Sequence, residues 1–161
     1  MSKYAQLLEN EHPDLVVLNN IHRQITLFVI NAVKDFDKNL PIFWTVHDFI
    51  SICPAYTMLD GNGNTCEKCL DGHFSHCIWN RCIKGSRLMG ALAKYEADYI
   101  RKKGLYGKVD LYICPSEFMM RMLQRAGFTK SKMIVLRNPL PIDTKYEMSN
   151  RGNYILFLGR R

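Results

Sequence analysis

No stretch of this 161-residue sequence is apolar for long enough to cross a bilayer. Its start, MSKYAQLLENEHPDL, carries no apolar segment behind a basic one and so does not read as a secretion signal. Both absences point to a reducing, cytoplasmic setting, where disulfides are not expected. There is no internal repeat, no low-complexity tract and no basic–aromatic motif of the kind that reads nucleic acid. Acidic residues are the scarcer charge. Fifteen Asp and Glu against 22 Lys and Arg leave a net charge of +7 with His neutral. That biases the partners toward phosphates, nucleic acid or an anionic membrane face.

What is present is an alternation of helical and strand-like segments. KYAQLLENEH reads as a helix that stops before Pro13. DLVVL, from Asp14 to Leu18, is a continuous apolar run, as in a strand buried on both faces. RQITLFVINAVKDF (Arg23 to Phe36) predicts a helix with Ile25, Phe28, Val29, Ala32, Val33 and Phe36 on one side. PIFWTV (Pro41 to Val46) is a second buried strand. GSRLMGALAKYEADYIRKKG predicts a long helix whose apolar stripe is Leu88, Ala91, Leu92, Tyr95 and Tyr99. VDLYIC (Val109 to Cys114) is a third strand. SEFMMRMLQRAG is a helix with Ser116 as N-cap and Gly127 as C-cap. KMIVL (Lys132 to Leu136) is a fourth strand and NYILFLG (Asn153 to Gly159) a fifth. Strands alternating with helices predict an α/β fold: a mostly parallel, Rossmann-like sheet with crossover helices.

Between the second strand and the long helix lies TVHDFISICPAYTMLDGNGNTCEKCLDGHFSHCIWNRC. It holds five of the six cysteines and three of the five histidines. In a reducing setting, clustered cysteines suggest a metal or free thiols. Cys66, Cys69, Cys77 and Cys82 follow the spacing C-x2-C-x7-C-x4-C, which suits a structural, tetrahedral Zn²⁺. The loop has few large apolar groups, and a segment without a core gains most from a metal. Cys53, His73 and His76 are possible substitutes as ligands, and unligated thiols or oxidative disulfides are the other readings. Cys114 ends an apolar strand and reads as a small buried hydrophobe.

In an open parallel sheet the ligand crevice lies beyond the carboxyl ends of the strands. Asn20 and His22 follow the first strand, His47 and Asp48 the second, Pro115 and Ser116 the third, Arg137 and Asn138 the fourth. All are expected on one edge. For His47 the bland alternative is a strand-end histidine satisfied by backbone. For Asp48 it is the start of the insertion, for Asn20 and His22 a turn and helix start, and for Ser116 an N-cap.

HPDLVVLNNIHRQ, PIFWTVHDFISICP, VDLYICPSEFMMRMLQRAGF, MIVLRNPLPID and NYILFLGR follow one another in an order that resembles family 4 glycosyltransferases of the GT-B fold. The resemblance covers nearly the whole chain. It implies two Rossmann-like domains facing a cleft, one for acceptor and one for nucleotide-sugar, with no catalytic metal. On it, residues 1–141 form the later part of the acceptor domain, with the Cys-rich insertion at 51–84. Residues 142–152 are a linker, and 153–161 open a truncated donor domain. His47 matches the family's histidine beside the reacting sugar and is the catalytic candidate. Asn20 and His22 resemble its acceptor-side loop; Asp48, Ser116 and Asn138 join them as substrate-binding candidates. Arg160 matches an arginine that binds the donor pyrophosphate, since guanidinium suits phosphate oxygens. The family's glycine-rich turn, the lysine after "GR" and the donor-site glutamates are missing, so the chain alone is expected to be inactive.

The implied activity is retaining transfer of a sugar to a polysaccharide or lipid-linked acceptor in cell-surface glycan synthesis. Arg81, Lys84, Arg87, Lys94, Arg101, Lys102, Lys103 and Lys108 form a basic constellation suited to peripheral contact with anionic lipid at the inner membrane face. The alternative is a basic zinc-knuckle module for an anionic partner such as nucleic acid. It explains the charge and the cysteines but leaves five buried-strand runs unexplained.

Overall fold

The computed structural model describes residues 3–21 and 26–139. His22, the 142–152 linker, the fifth strand and Arg160 lie outside the described residues.

The elements run α1 (Lys3–Glu11), β1 (Val16–Asn19), α2 (Val29–Phe36), β2 (Ile42–Thr45), α3 (His76–Trp79), α4 (Arg87–Lys102), β3 (Leu111–Cys114), α5 (Glu117–Arg125) and β4 (Met133–Val135). Short 3₁₀ turns at Leu105–Lys108 and Lys130–Lys132 lead into β3 and β4. The four strands form one sheet in the order β1-β2-β3-β4, every pair parallel. The fold is therefore the α/β, Rossmann-like arrangement expected from the alternation.

The expected first helix and the four strands fall within a few residues of their sequence positions. The helix expected from Arg23 begins instead at Val29 among the described residues, with a turn over 26–28. Phe28, placed by pattern on its inner side, is exposed and packs its ring against Tyr99.

Strand order decides which face is covered. Each strand lies beside its predecessor, and parallel crossovers take one hand, so successive connections stack on the same face. That face carries Leu18, Ile42, Trp44, Tyr112, Cys114 and Met133, all buried in one cluster with Ile30, Val33, Leu105, Met122 and Leu123. The opposite face carries Val17, Phe43, Leu111, Ile113 and Ile134. Val17 is 55% exposed and Ile134 43%. The expectation that β1 is buried on both faces is thus corrected: its other face is open.

The stripe expected on α4 is corrected too. Leu88, Leu92 and Tyr95 are 71%, 58% and 72% exposed. The helix instead buries Gly90 and Ile100, with Ala93 and Ala97 half-buried. Small residues let α4 lie close against α3, and close backbone packing overrides the bulkier stripe. In α5, by contrast, Met119, Met122 and Leu123 at i, i+3 and i+4 are buried as their spacing predicts. Gly127, at φ +90, turns the chain out of α5 one residue after the Ala126 cap.

Two ties fix the sheet's amino-terminal edge. Asp110 accepts hydrogen bonds from Lys34 Nζ and the Ile42 N–H, each at 2.9 Å. Partial burial pushes its carboxyl pKa up. The bonds from Lys34 and Ile42 and the Lys34 charge outweigh that and hold it below the usual value. Tyr112 donates its hydroxyl to the Tyr106 carbonyl at 2.6 Å within an aromatic group that also includes Trp44 and Phe128.

Candidate functional site

Because all four strands are parallel, β1 to β4 end at one edge. The Val46 N–H donates to the Ile113 carbonyl and the Leu136 N–H to the Cys114 carbonyl, each at 2.9 Å. These bonds carry the ladder one step past the strands.

At this rim, Asn20, His47 and Asp48 share a shallow hollow with Ile21, Trp44, Thr45 and Ile50. Asn20 takes φ 48, a left-handed turn that asparagine tolerates better than most residues. It leaves buried Ile21 as the anchor and Asn20 exposed. His47 is exposed, and among the described residues none bonds to its ring. Asp48 is occupied: its Oδ1 accepts from the Ile50 N–H at 3.1 Å and turns the chain into the insertion.

Ser116 is also occupied. Its Oγ accepts from the Met119 N–H at 3.2 Å, the N-cap expected from sequence. The rings of Phe49 and Phe118 meet edge-on at 6.3 Å, which ties the root of the insertion to the first turn of α5. Sequence patterning missed this tie, because neither aromatic falls on an apolar period. Arg137 and Asn138 are exposed two and three residues past β4. The structure therefore gathers Asn20, His47 and Asp48, and sets Ser116 and Asn138 along the same edge. His22 and Arg160 lie outside the described residues.

Larger hollows occur elsewhere. One of about 440 Å³ is lined by Arg101, Tyr106, Tyr112, Phe128 and Lys132, among others. It lies where the chain enters β3 and β4, at the opposite edge from the rim. Its cations are engaged as ties: Arg101 donates to the Ala126 carbonyl, and Lys132 to the Gly107 and Val109 carbonyls. Another, of about 490 Å³, lies over Tyr95, Asp98, Tyr99, Lys102 and Lys103 on the outer side of α4.

The insertion is less coreless than its composition suggests. Ile50, Ile52, Cys53, Ala55, Met58 and Leu70 belong to the same buried cluster as the sheet. Five free cysteines gather around it; Cys53, Cys69 and Cys77 are buried, and Cys66 and Cys82 are half-buried. Burial pushes the Cys69 thiol up to about 12, and the charges of Cys53, Cys77, Cys66 and Cys82 add to it. Burial, then Cys82, pushes Cys77 up to about 11. Among the described residues, no group of three or more His, Cys, Asp or Glu is arranged to hold a metal ion. His73 is exposed.

Residues 1–144 match the family described as Glycosyltransferase Family 4. No curated protein and no solved structure matches the chain.

Proposed function

The chain belongs to glycosyltransferase family 4, and from that premise we propose that it forms the acceptor side of a sugar-transfer site. The donor is a nucleotide-sugar held elsewhere. The acceptor is a hydroxyl of a polysaccharide or lipid-linked glycan in cell-surface synthesis. The observation that carries this is the exposed His47 at the rim where four parallel strands end.

In this reading, the His47 ring hydrogen-bonds sugar hydroxyls close to the reacting carbon and stabilises the charge that develops there. Asn20, held in its left-handed turn, presents an amide beside it. Asp48 shapes the loop and Ser116 caps α5, so both position the rim. The first N–H groups of α5 point toward negative charge. Transfer is retaining: the acceptor oxygen attacks from the face the donor leaves. Side chains on the pyrophosphate, Arg160 among them, offset the leaving charge with no catalytic metal.

Residues 1–141 are then acceptor-side, 142–152 a linker and 153–161 the opening of a donor domain. Among the described residues no helix is long and apolar enough to cross a membrane. The exposed Leu88, Leu92 and Tyr95, with Arg87, Lys102 and Lys103 nearby, suit peripheral contact with an anionic membrane face.

An NMR titration of the chain with oligosaccharide acceptors tests the reading. Shifts are expected at Asn20, His47 and Asp48, and are lost in His47→Ala without a change in melting temperature. Shifts confined to the cavity around Arg101 and Lys132, or turnover of a nucleotide-sugar by the chain alone, would refute it.

A further inference from the structure

Resting on the acceptor-side role proposed above, we propose that the outer side of α4 carries a second carbohydrate site, away from the rim. There Tyr95, Asp98, Tyr99, Lys102 and Lys103 hold a phosphate-bearing sugar of a lipid-linked acceptor, a part of the acceptor that does not react.

The helix pitch assembles the site. Positions 95, 98, 99 and 102 are three and four residues apart, so they stack on one face of α4. Lys103 closes the row at the helix's carboxyl end. Together they line an open hollow of about 490 Å³, a size that suits a small ligand. The core has no claim on this face. Tyr95 is exposed, and α4 buries Gly90 and Ile100 instead.

The aromatic part is a platform. The Tyr95 and Tyr99 rings lie within 23° of parallel, with centroids 6.4 Å apart. A tyrosine offers an apolar body and a polar tip. That matches a pyranose, whose C–H groups lie over a ring face while its hydroxyls reach the edge. The Phe28 ring meets Tyr99 at 5.8 Å. Phe28 caps α2 on the connection that begins at Asn20, so one stretch of chain joins the platform to the rim.

Charge selects the phosphate. Asp98 pairs with Lys94 one turn back through its Oδ2, which offsets its charge and leaves Oδ1 to accept from a sugar hydroxyl. Among the described residues, Lys102 and Lys103 have no carboxylate partner. The Lys103 Nζ lies 5.5 Å over the Tyr99 ring, so its charge stays beside the platform. Two ammonium groups next to two ring faces fit a sugar phosphate better than a neutral sugar. The cavity at the opposite edge lacks this, because Arg101 and Lys132 turn their donors to backbone carbonyls. Leu88 and Leu92 continue the same stripe and are exposed, so a lipid joined to the phosphate has an apolar surface to follow.

NMR of the labelled full chain tests the site. Glucose 1-phosphate should shift Tyr95, Asp98, Tyr99, Lys102 and Lys103. It should bind about tenfold tighter than glucose or inorganic phosphate, since its two halves bind as one ligand. Tyr95→Ala and Lys102→Ala, both at exposed positions, should each weaken that binding about three- to tenfold with unchanged Tm. Phosphatidylcholine vesicles carrying a polyprenyl glucosyl phosphate should sediment the chain, and free glucose 1-phosphate should compete. Phosphatidylglycerol vesicles of equal charge should bind it more weakly. Three results overturn the proposal: no shift on α4 with glucose 1-phosphate, inorganic phosphate binding as tightly as glucose 1-phosphate, or phosphatidylglycerol vesicles binding as tightly as the sugar-bearing ones. Shifts at Asn20 and His47 with a neutral oligosaccharide, while α4 stays silent to glucose 1-phosphate, would overturn this site and keep the rim. The reverse pattern would support this site and overturn the role proposed for the rim.

Discussion

Replacing Gly90 with alanine sets two known effects against each other. Gly90 lies inside α4, where alanine is intrinsically better by about 1 kcal/mol. The added methyl, however, would sit 2.8 Å from the Cys77 carbonyl oxygen, 3.0 Å from the Ile78 Cα and 3.2 Å from the Cys77 carbonyl carbon. All three atoms are backbone, so no rotamer relieves the clash. The short α3 must retreat by several tenths of an ångström. Overpacking of this kind costs about 1–3 kcal/mol. Loss of the Cys77–Gly90 hydrogen bond adds about 1 kcal/mol. The unfavourable terms win, and a net loss of about 1–3 kcal/mol is expected, a fall in Tm of roughly 3–9 °C for a chain of this size. Thermal unfolding under reductant, followed by circular dichroism, measures it. Alkylation of Cys77 should speed up in the variant. Tyr95→Ala, on the exposed side of the same helix, is the control and should stay within about 0.5 kcal/mol. If Gly90→Ala melts higher than wild type and Cys77 stays protected, the helices are not in backbone contact and the reasoning fails.

Asp110→Asn should cost about 1 kcal/mol at neutral pH, since one carboxylate serves two donors but is partly exposed. Its depressed pKa means this stability is present above the ordinary value of 3.8 and is lost as pH falls through the lower folded value. Denaturant melts at neutral and acid pH should therefore converge for variant and wild type at the acid end. Ser116→Ala should cost about 1 kcal/mol by removing the α5 cap, read as a lower denaturation midpoint with unchanged slope. Vesicle sedimentation should show salt-sensitive binding to anionic but not neutral lipid, abolished by Leu92→Glu; equal binding to both would exclude the α4 face as the contact.

The elements were legible because strand and helix periods differ, and each strand is bounded by turn residues. Which face of an element is covered was not. DLVVL is apolar throughout, and only the order β1-β2-β3-β4 reveals that the connections share one face and leave Val17 and Ile134 open. On α4, the bulky residues Leu88, Leu92 and Tyr95 are exposed, while Gly90 meets the backbone of α3 and Ala93 and Ala97 are half-buried. Hydrophobic spacing ranks side chains by transfer free energy, but close helix packing selects for small size. The two criteria choose opposite faces of one helix.

The rim was legible for a topological reason: in a parallel sheet the residues after every strand share an edge, so Asn20, His47, Ser116 and Asn138 could be grouped before any coordinates. What that logic cannot apportion is work between structure and chemistry. Asp48 and Ser116 have their oxygens filled by the Ile50 and Met119 N–H groups, duties that any loop or helix start needs. His47 stands exposed beside them with no such duty among the described residues. The cysteines show the same limit along the chain. Spacing grouped Cys77 with Cys66, Cys69 and Cys82, because seven residues separate it from the C-x2-C pair, but spacing does not show that the Cys77 Sγ lies 3.2 Å from the Gly90 carbonyl oxygen, between α3 and α4. The insertion grows directly out of the loop that carries His47 and Asp48, and Ile50 lines the rim hollow while packing in the core. The packing of the insertion against the sheet core therefore also holds the backbone of His47, so loosening the insertion should disturb the rim.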